Sequence, residues 1–103
     1  MISRKIIEEL AAEELVDANT KHDPKFNSTH EAYAVLKEEL EEAEHEMRQC
    51  MERLGVMWVC VKNDDYIQTD KNIAYIKAYA TSLAQEAIQV VAMCDKALNS
   101  DLH

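Results

Sequence analysis

The sequence predicts an all-α protein: three long helices, with a possible short fourth, forming a helical bundle completed by oligomerisation. Three observations predict it. One Gly and one Pro stand in 103 residues, so almost nothing interrupts a helix, and Ala, Leu, Glu, Lys and Met, which favour it, are abundant. Apolar residues recur at spacings of three and four over long stretches, the period of one helix face. A chain of this length makes one domain, residues 1–103, and buries only about 60–70% of its unfolded surface. Its apolar faces therefore ask for a second copy, as a dimer or tetramer.

The first element spans roughly Ser3 to Ala18, with Ile6, Ile7, Leu10, Ala11 and Leu15 on its apolar side. It ends in the polar connection "DANTKHDPKFNSTH", which holds the only proline, Pro24, and in which Phe26 is expected to pack against the body. This N-terminal helix and loop occupy residues 1–25, and the remaining helices residues 26–98. The second helix starts after "NSTHE", where Ser28 and Glu31 form a candidate capping box. Tyr33, Leu36, Leu40, Ala43, Met47, Cys50, Leu54, Met57 and Val61 then form a seam that suits a bundle or a coiled-coil-like pair. At Gly55 the reading divides: "GVMWVCV", residues 55–61, is a kink, a separate short helix or a continuation. "KNDDYIQTD" at 62–70 reads as a loop, with Thr69 or Asp70 capping a third helix that runs to about Asn99. Its seam is Ile73, Ile76, Ala80, Leu83, Ala87, Val90 and Cys94, and "AIQVVAM" at 87–93 is apolar nearly all round, as in an enclosed helix.

Charge excludes some partners. The chain carries 11 basic and 20 acidic residues, a formal net of −9, and the basic residues form no run beyond Arg4-Lys5. Phosphate gripping needs a basic patch, so direct nucleic-acid binding is not expected, and an anionic ligand would need a metal ion as a bridge. No stretch approaches the ~20 apolar residues of a membrane span. The N-terminus turns acidic after five residues without an apolar segment, and Cys50, Cys60 and Cys94 form no CxxC. Both features point to a cytoplasmic protein with reduced thiols.

The acidic residues raise the functional question. Glu38, Glu39, Glu41, Glu42, Glu44 and Glu46 crowd one helix, where like charges three or four apart repel by roughly 0.2–0.5 kcal/mol a pair. A helix turns roughly 100° per residue. Glu39, Glu42 and Glu38 therefore fall on one flank of the seam, and Glu41 and Glu44 on the other. Glu86 stands beside the third helix's own seam in its most apolar part, where an ionised carboxylate is costly unless paired or metal-bound. Helices packed seam to seam would bring Glu86 to Glu38, Glu39 and Glu42. Such oxygen-only donors suit Mg²⁺, or Mn²⁺, over zinc. The other reading of the same residues is a well-solvated helix surface. His22, His30, His45 and Cys60 show no zinc-ligand spacing, and one glycine cannot build a Gly-rich phosphate loop.

"EAYAVLKEELEEAEHEM", followed some forty residues on by "LAQEAIQVVAMCDKAL", resembles the small MazG-like proteins of the all-α NTP pyrophosphatase superfamily, closest to short forms of phages and Gram-positive bacteria. The resemblance covers roughly residues 26–98. It implies a Mg²⁺-dependent hydrolase that splits a nucleoside or deoxynucleoside triphosphate into a monophosphate and pyrophosphate. The family's EExxE falls on Glu38, Glu39 and Glu42, and the glutamate of its ExxD on Glu86. All four would be metal ligands, with Glu38 or Glu39 also positioning the attacking water or accepting its proton. Gln89 stands where the family's aspartate would be, which removes one negative charge from the site. Gln89, Lys96 and Asn99 are the candidate substrate contacts. The alternative is a non-catalytic helical oligomer of the same fold, a nucleotide-binding or protein-interaction module.

Overall fold

A computed structural model describes all residues, 1–103, and contains helices only: α1 (Arg4–Lys21), α2 (Thr29–Lys62) and α3 (Tyr66–Leu98). None of them is long and apolar enough to cross a membrane.

Local chemistry sets their ends. Ser3 caps α1, its Oγ accepting from the Ile6 N–H at 3.2 Å, which satisfies one of the unpaired donors of a first turn. α1 runs one turn beyond the expected Ala18. The Thr20 hydroxyl donates to the Asp17 carbonyl at 2.7 Å, and Lys21 reaches Asp17 at 3.2 Å. Asp23-Pro24 then closes the helical option, because proline pushes its predecessor out of the α region. At the start of α2 the Glu31 N–H donates to Ser28 Oγ at 3.1 Å. The return half of a capping box is absent, since the Glu31 carboxylate accepts from Asn27 Nδ2 at 3.2 Å instead.

α2 is continuous through Gly55 and residues 55–61 extend it. The expected loop at 62–70 shrinks to Asn63–Asp65, and α3 begins at Tyr66, four residues before Asp70. Neither Thr69 nor Asp70 is the cap. Asp65 is, with its Oδ1 accepting from the Gln68 N–H at 3.1 Å. The turn is a Schellman closure: the Asp65 N–H reaches the Cys60 carbonyl at 2.9 Å and the Asp64 N–H the Val61 carbonyl at 3.2 Å, with Asp64 at φ 53° in the left-handed region such closures require.

The chain forms two compact units, Met1–Glu41 with Glu86–His103, and Glu42–Gln85. In the first, all three helices pack around Ala11, Phe26, Ala32, Ala92 and Met93. Alanines dominate this core, so the helix backbones approach closely. Phe26 fills the remaining space, and its N–H donates to the buried Ser100 hydroxyl at 2.9 Å. That hydroxyl donates in turn to the Lys96 carbonyl at 2.6 Å, which ties the tail to the loop before α2. The second unit is a helical hairpin whose two legs meet where Cys50 Sγ lies 3.9 Å from the Ile76 carbonyl and the Arg53 guanidinium sits 4.5 Å from the Tyr75 ring centre. The only buried side chain in it is Asn72. The seam read along α2 divides accordingly: Leu36, Ala43, Cys50 and Met57 are partly covered, whereas Tyr33, Leu40, Met47, Leu54 and Val61 are exposed.

Candidate metal centre

Glu39 lies on the flank of α2 in the first unit, half-buried, and Glu86 opens the α3 segment of that same unit, also half-buried. A carboxylate oxygen of Glu39 stands within 4.8 Å of one from Glu86 and one from Glu42, the exposed residue three positions further along α2. Helix geometry explains the second pairing, since residues three apart share a flank. The first needs α2 and α3 side by side, which the packing of Ala32, Ala92 and their neighbours enforces.

Negative charges at this spacing repel one another, and a cation placed among them would be attracted to all three. The donor set is carboxylate oxygen throughout, the chemistry of hard divalent cations. Of the four glutamates expected to act together, the structure gathers Glu39, Glu42 and Glu86. Glu38 is exposed and outside that group, on the α2 flank one turn before Glu42.

The three expected substrate contacts follow one another along the end of α3. Gln89 is half-buried, one turn beyond Glu86. Lys96 is only 6% exposed, with its ammonium 4.7 Å from the centre of the Phe26 ring. A cation over an aromatic face gains from the ring quadrupole, so Lys96 has a structural role in the core of the first unit. Asn99 lies past the end of α3, exposed, its N–H donating to the Asp95 carbonyl at 3.0 Å.

The first unit also holds a recess of about 500 Å³ walled by Thr29, Ala32, Tyr33, Leu36, Ala97 and Asp101, among others. Leu36 lies about 4.5 Å, and Tyr33 about 9 Å, along the helix axis from Glu39 at 1.5 Å rise per residue. No sequence pattern marks this recess, because its wall joins the first turns of α2 to the end of α3 and the tail. The cysteines are all free and half-buried, as small apolar side chains of a helix surface can be.

Fold and site together define an all-α bundle protein with a carboxylate cluster between two of its helices. Comparison with protein families, with curated proteins and with solved structures finds no match to this chain.

Proposed function

We propose that the chain is a Mg²⁺-dependent nucleoside triphosphate pyrophosphohydrolase, similar to the small MazG-like enzymes, that works as a homo-oligomer. The observation supporting this reading is the gathering of Glu39, Glu42 and Glu86 with carboxylate oxygens within 4.8 Å of one another. Residues 47 apart in sequence supply this all-oxygen donor set, which fits Mg²⁺ or Mn²⁺.

In this reading Glu39, Glu42 and Glu86 hold the ion. When bound, Mg²⁺ neutralises triphosphate oxygens and makes water more acidic. Glu38, outside the group but on the same flank, accepts the proton of the attacking water. The nucleoside end lies in the recess beside Tyr33 and Leu36, whose axial distance from Glu39 suits a ligand reaching from base to phosphate. The second reading, a non-catalytic module of the same fold, draws on Gln89, a neutral side chain where the resemblance calls for a carboxylate.

The test is the melting temperature with and without millimolar Mg²⁺ or Mn²⁺, for wild type and Glu39→Gln. A ligand that binds only the folded chain stabilises it by mass action, about 2.7 kcal/mol at a hundredfold excess over Kd. The expected result is stabilisation of wild type alone, higher apo stability of Glu39→Gln, and pyrophosphate release from triphosphates by wild type with Mg²⁺. Metal-dependent stabilisation without pyrophosphate release would favour the non-catalytic module. Equal response of both proteins to metal would remove the site altogether.

A further inference from the structure

Within the Glu42–Gln85 hairpin each leg turns a strict heptad seam inward. On α2 it is Ala43, Glu46, Cys50, Arg53, Met57 and Cys60, in alternating steps of three and four, all half-buried. On α3 it is Asn72, Ile76, Tyr79 and Leu83, with the same alternation, half-buried except for the buried Asn72. This is the spacing that seats one helix on another, yet every second position of it is polar: Glu46 and Arg53 on one leg, Asn72 and Tyr79 on the other. The residue that follows each of these four, Met47, Leu54, Ile73 and Ala80, is apolar and exposed, Leu54 at 51% and Ile73 at 47%. A second seam of equal regularity therefore stands beside the first. It keeps Ala43, Cys50 and Met57 against Ile76 and Leu83 as a common spine, and it replaces each polar member by its apolar successor.

We infer that the hairpin is a two-position switch, in which α2 and α3 rotate about their own axes between a polar and an apolar seam. Each helix moves by half of the one-residue step, about 50°. The rotation has the same sense along both chains, and because the legs run antiparallel they turn in opposite senses in space, as meshed gears do, with the spine residues still in contact. Opposing interactions hold the two positions. In the observed one the Arg53 guanidinium lies 4.5 Å from the Tyr75 ring centre, a cation–π contact, and Asn72 Nδ2 donates to the Gln68 carbonyl at 2.8 Å. Asn72 Oδ1, however, is buried with no donor, which is unfavourable in an interior. Rotation carries Asn72 and Glu46 out to water and takes Leu54 and Ile73 inward, where their apolar surface is favoured. Two packings of one sequence that balance in this way are the basis of a switch, and this one exchanges an apolar outer face for a polar one. The inference is independent of the metal site and of the proposed activity.

Disulfide trapping separates the two positions, since a disulfide needs Cα atoms within about 7 Å of each other. The contacts of Cys50 with Ile76 and of Arg53 with Tyr75 fix the register of the legs. They set Arg53 opposite Asn72 in the observed position and Leu54 opposite Ile73 after rotation. The variants are therefore Arg53→Cys with Asn72→Cys, and Leu54→Cys with Ile73→Cys, oxidised at micromolar concentration and mapped by peptide mass spectrometry. The expected result is that each pair closes within a single chain, with helicity kept by circular dichroism. Glu46→Leu makes the inner seam more apolar without touching either pair, and should slow the second closure about tenfold or more while sparing the first. Failure of either pair to close while the other does leaves one position only and overturns the inference. Closure of the second pair at a rate that ignores Glu46→Leu overturns it too, because it then reports a collision on the flank of a fixed hairpin. Should the paired variants fail to fold, the native thiols decide: Cys60 leaves the seam on rotation and Cys50 stays on the spine. Iodoacetamide should then label Cys60 faster than Cys50 in the wild type, with Glu46→Leu slowing Cys60 alone; equal labelling, or no effect of Glu46→Leu, overturns the switch.

Discussion

The two units of this chain use the same residue types in opposite ways. Every buried apolar side chain, Ala11, Phe26, Ala32, Ala92 and Met93, belongs to the first unit, where a third helix and a loop cover the α2–α3 pair. The hairpin of the second unit has no third element: Met57, Ile76 and Leu83 are only partly covered, and Met47, Met51, Leu54, Trp58 and Ile73 are exposed. Its one buried residue is polar: Asn72 donates to the Gln68 carbonyl at 2.8 Å and leaves its buried Oδ1 without a partner. Two helices in contact cover about one stripe each, whereas three can enclose a centre. The difference shows that α1 and the Phe26 loop make the core of the first unit.

The sharpest way to break this contrast is to delete one large side chain from each region. Phe26→Ala should cost about 3–5 kcal/mol, as aromatic truncations in cores do, and should lower the melting temperature at every protein concentration. Trp58→Ala removes a side chain that is 59% exposed and should move the melt little. A Trp58→Ala loss as large as that of Phe26→Ala would mean the contrast between the units is wrong. An intermediate effect is expected from Ser100→Ala, which strands the buried Phe26 N–H; about 1–3 kcal/mol is the cost of such an orphaned donor, read by chemical denaturation.

The hairpin can also be made more stable. A Cβ added at Gly55 meets nothing within 4 Å, so Gly55→Ala should raise stability by about 0.5–1 kcal/mol through helix propensity. Asp64 holds the left-handed position of the turn, and Asp64→Gly should add up to about 1 kcal/mol by relieving its Cβ. Thermal melts of the two variants check both. The least effect belongs to Lys37 on the exposed surface of α2. Its hydrogen bond to Glu41, and the charge of that carboxylate, raise its pKa above the ordinary lysine value of 10.5. A raised folded pKa contributes stability present below the unfolded value and lost as pH rises through the folded one. The contribution of Lys37 is therefore complete at neutral pH and fades only as pH rises above about 10.5. Exposure and salt screen it, so Lys37→Met should leave the melt at pH 7 unchanged within error.

Much of the local structure was legible in residue types. Ser3 and Ser28 announced helix starts, Pro24 the break between α1 and α2, and the scarcity of Gly the continuity of long helices. The loop at 62–70 was misread because Asn, Asp, Tyr and Thr all weaken helix propensity, while a three-residue Schellman turn with Asp65 as cap needs only Asn63–Asp65. Glu39, Glu42 and Glu86 were legible as candidate partners from spacing and apolar context. Glu38 differs from Glu39 by one step around the helix, and that rotation alone keeps it out of the group.

By itself, then, the sequence determined the helices, most of their ends and the acidity of α2, because propensity, capping and spacing act over a few residues. Tertiary structure alone decided which apolar stripe faces inward, where Lys96 points and which carboxylates meet. Those outcomes depend on how helices distant in sequence rotate against one another to bury alanine faces, and no local pattern contains that rotation.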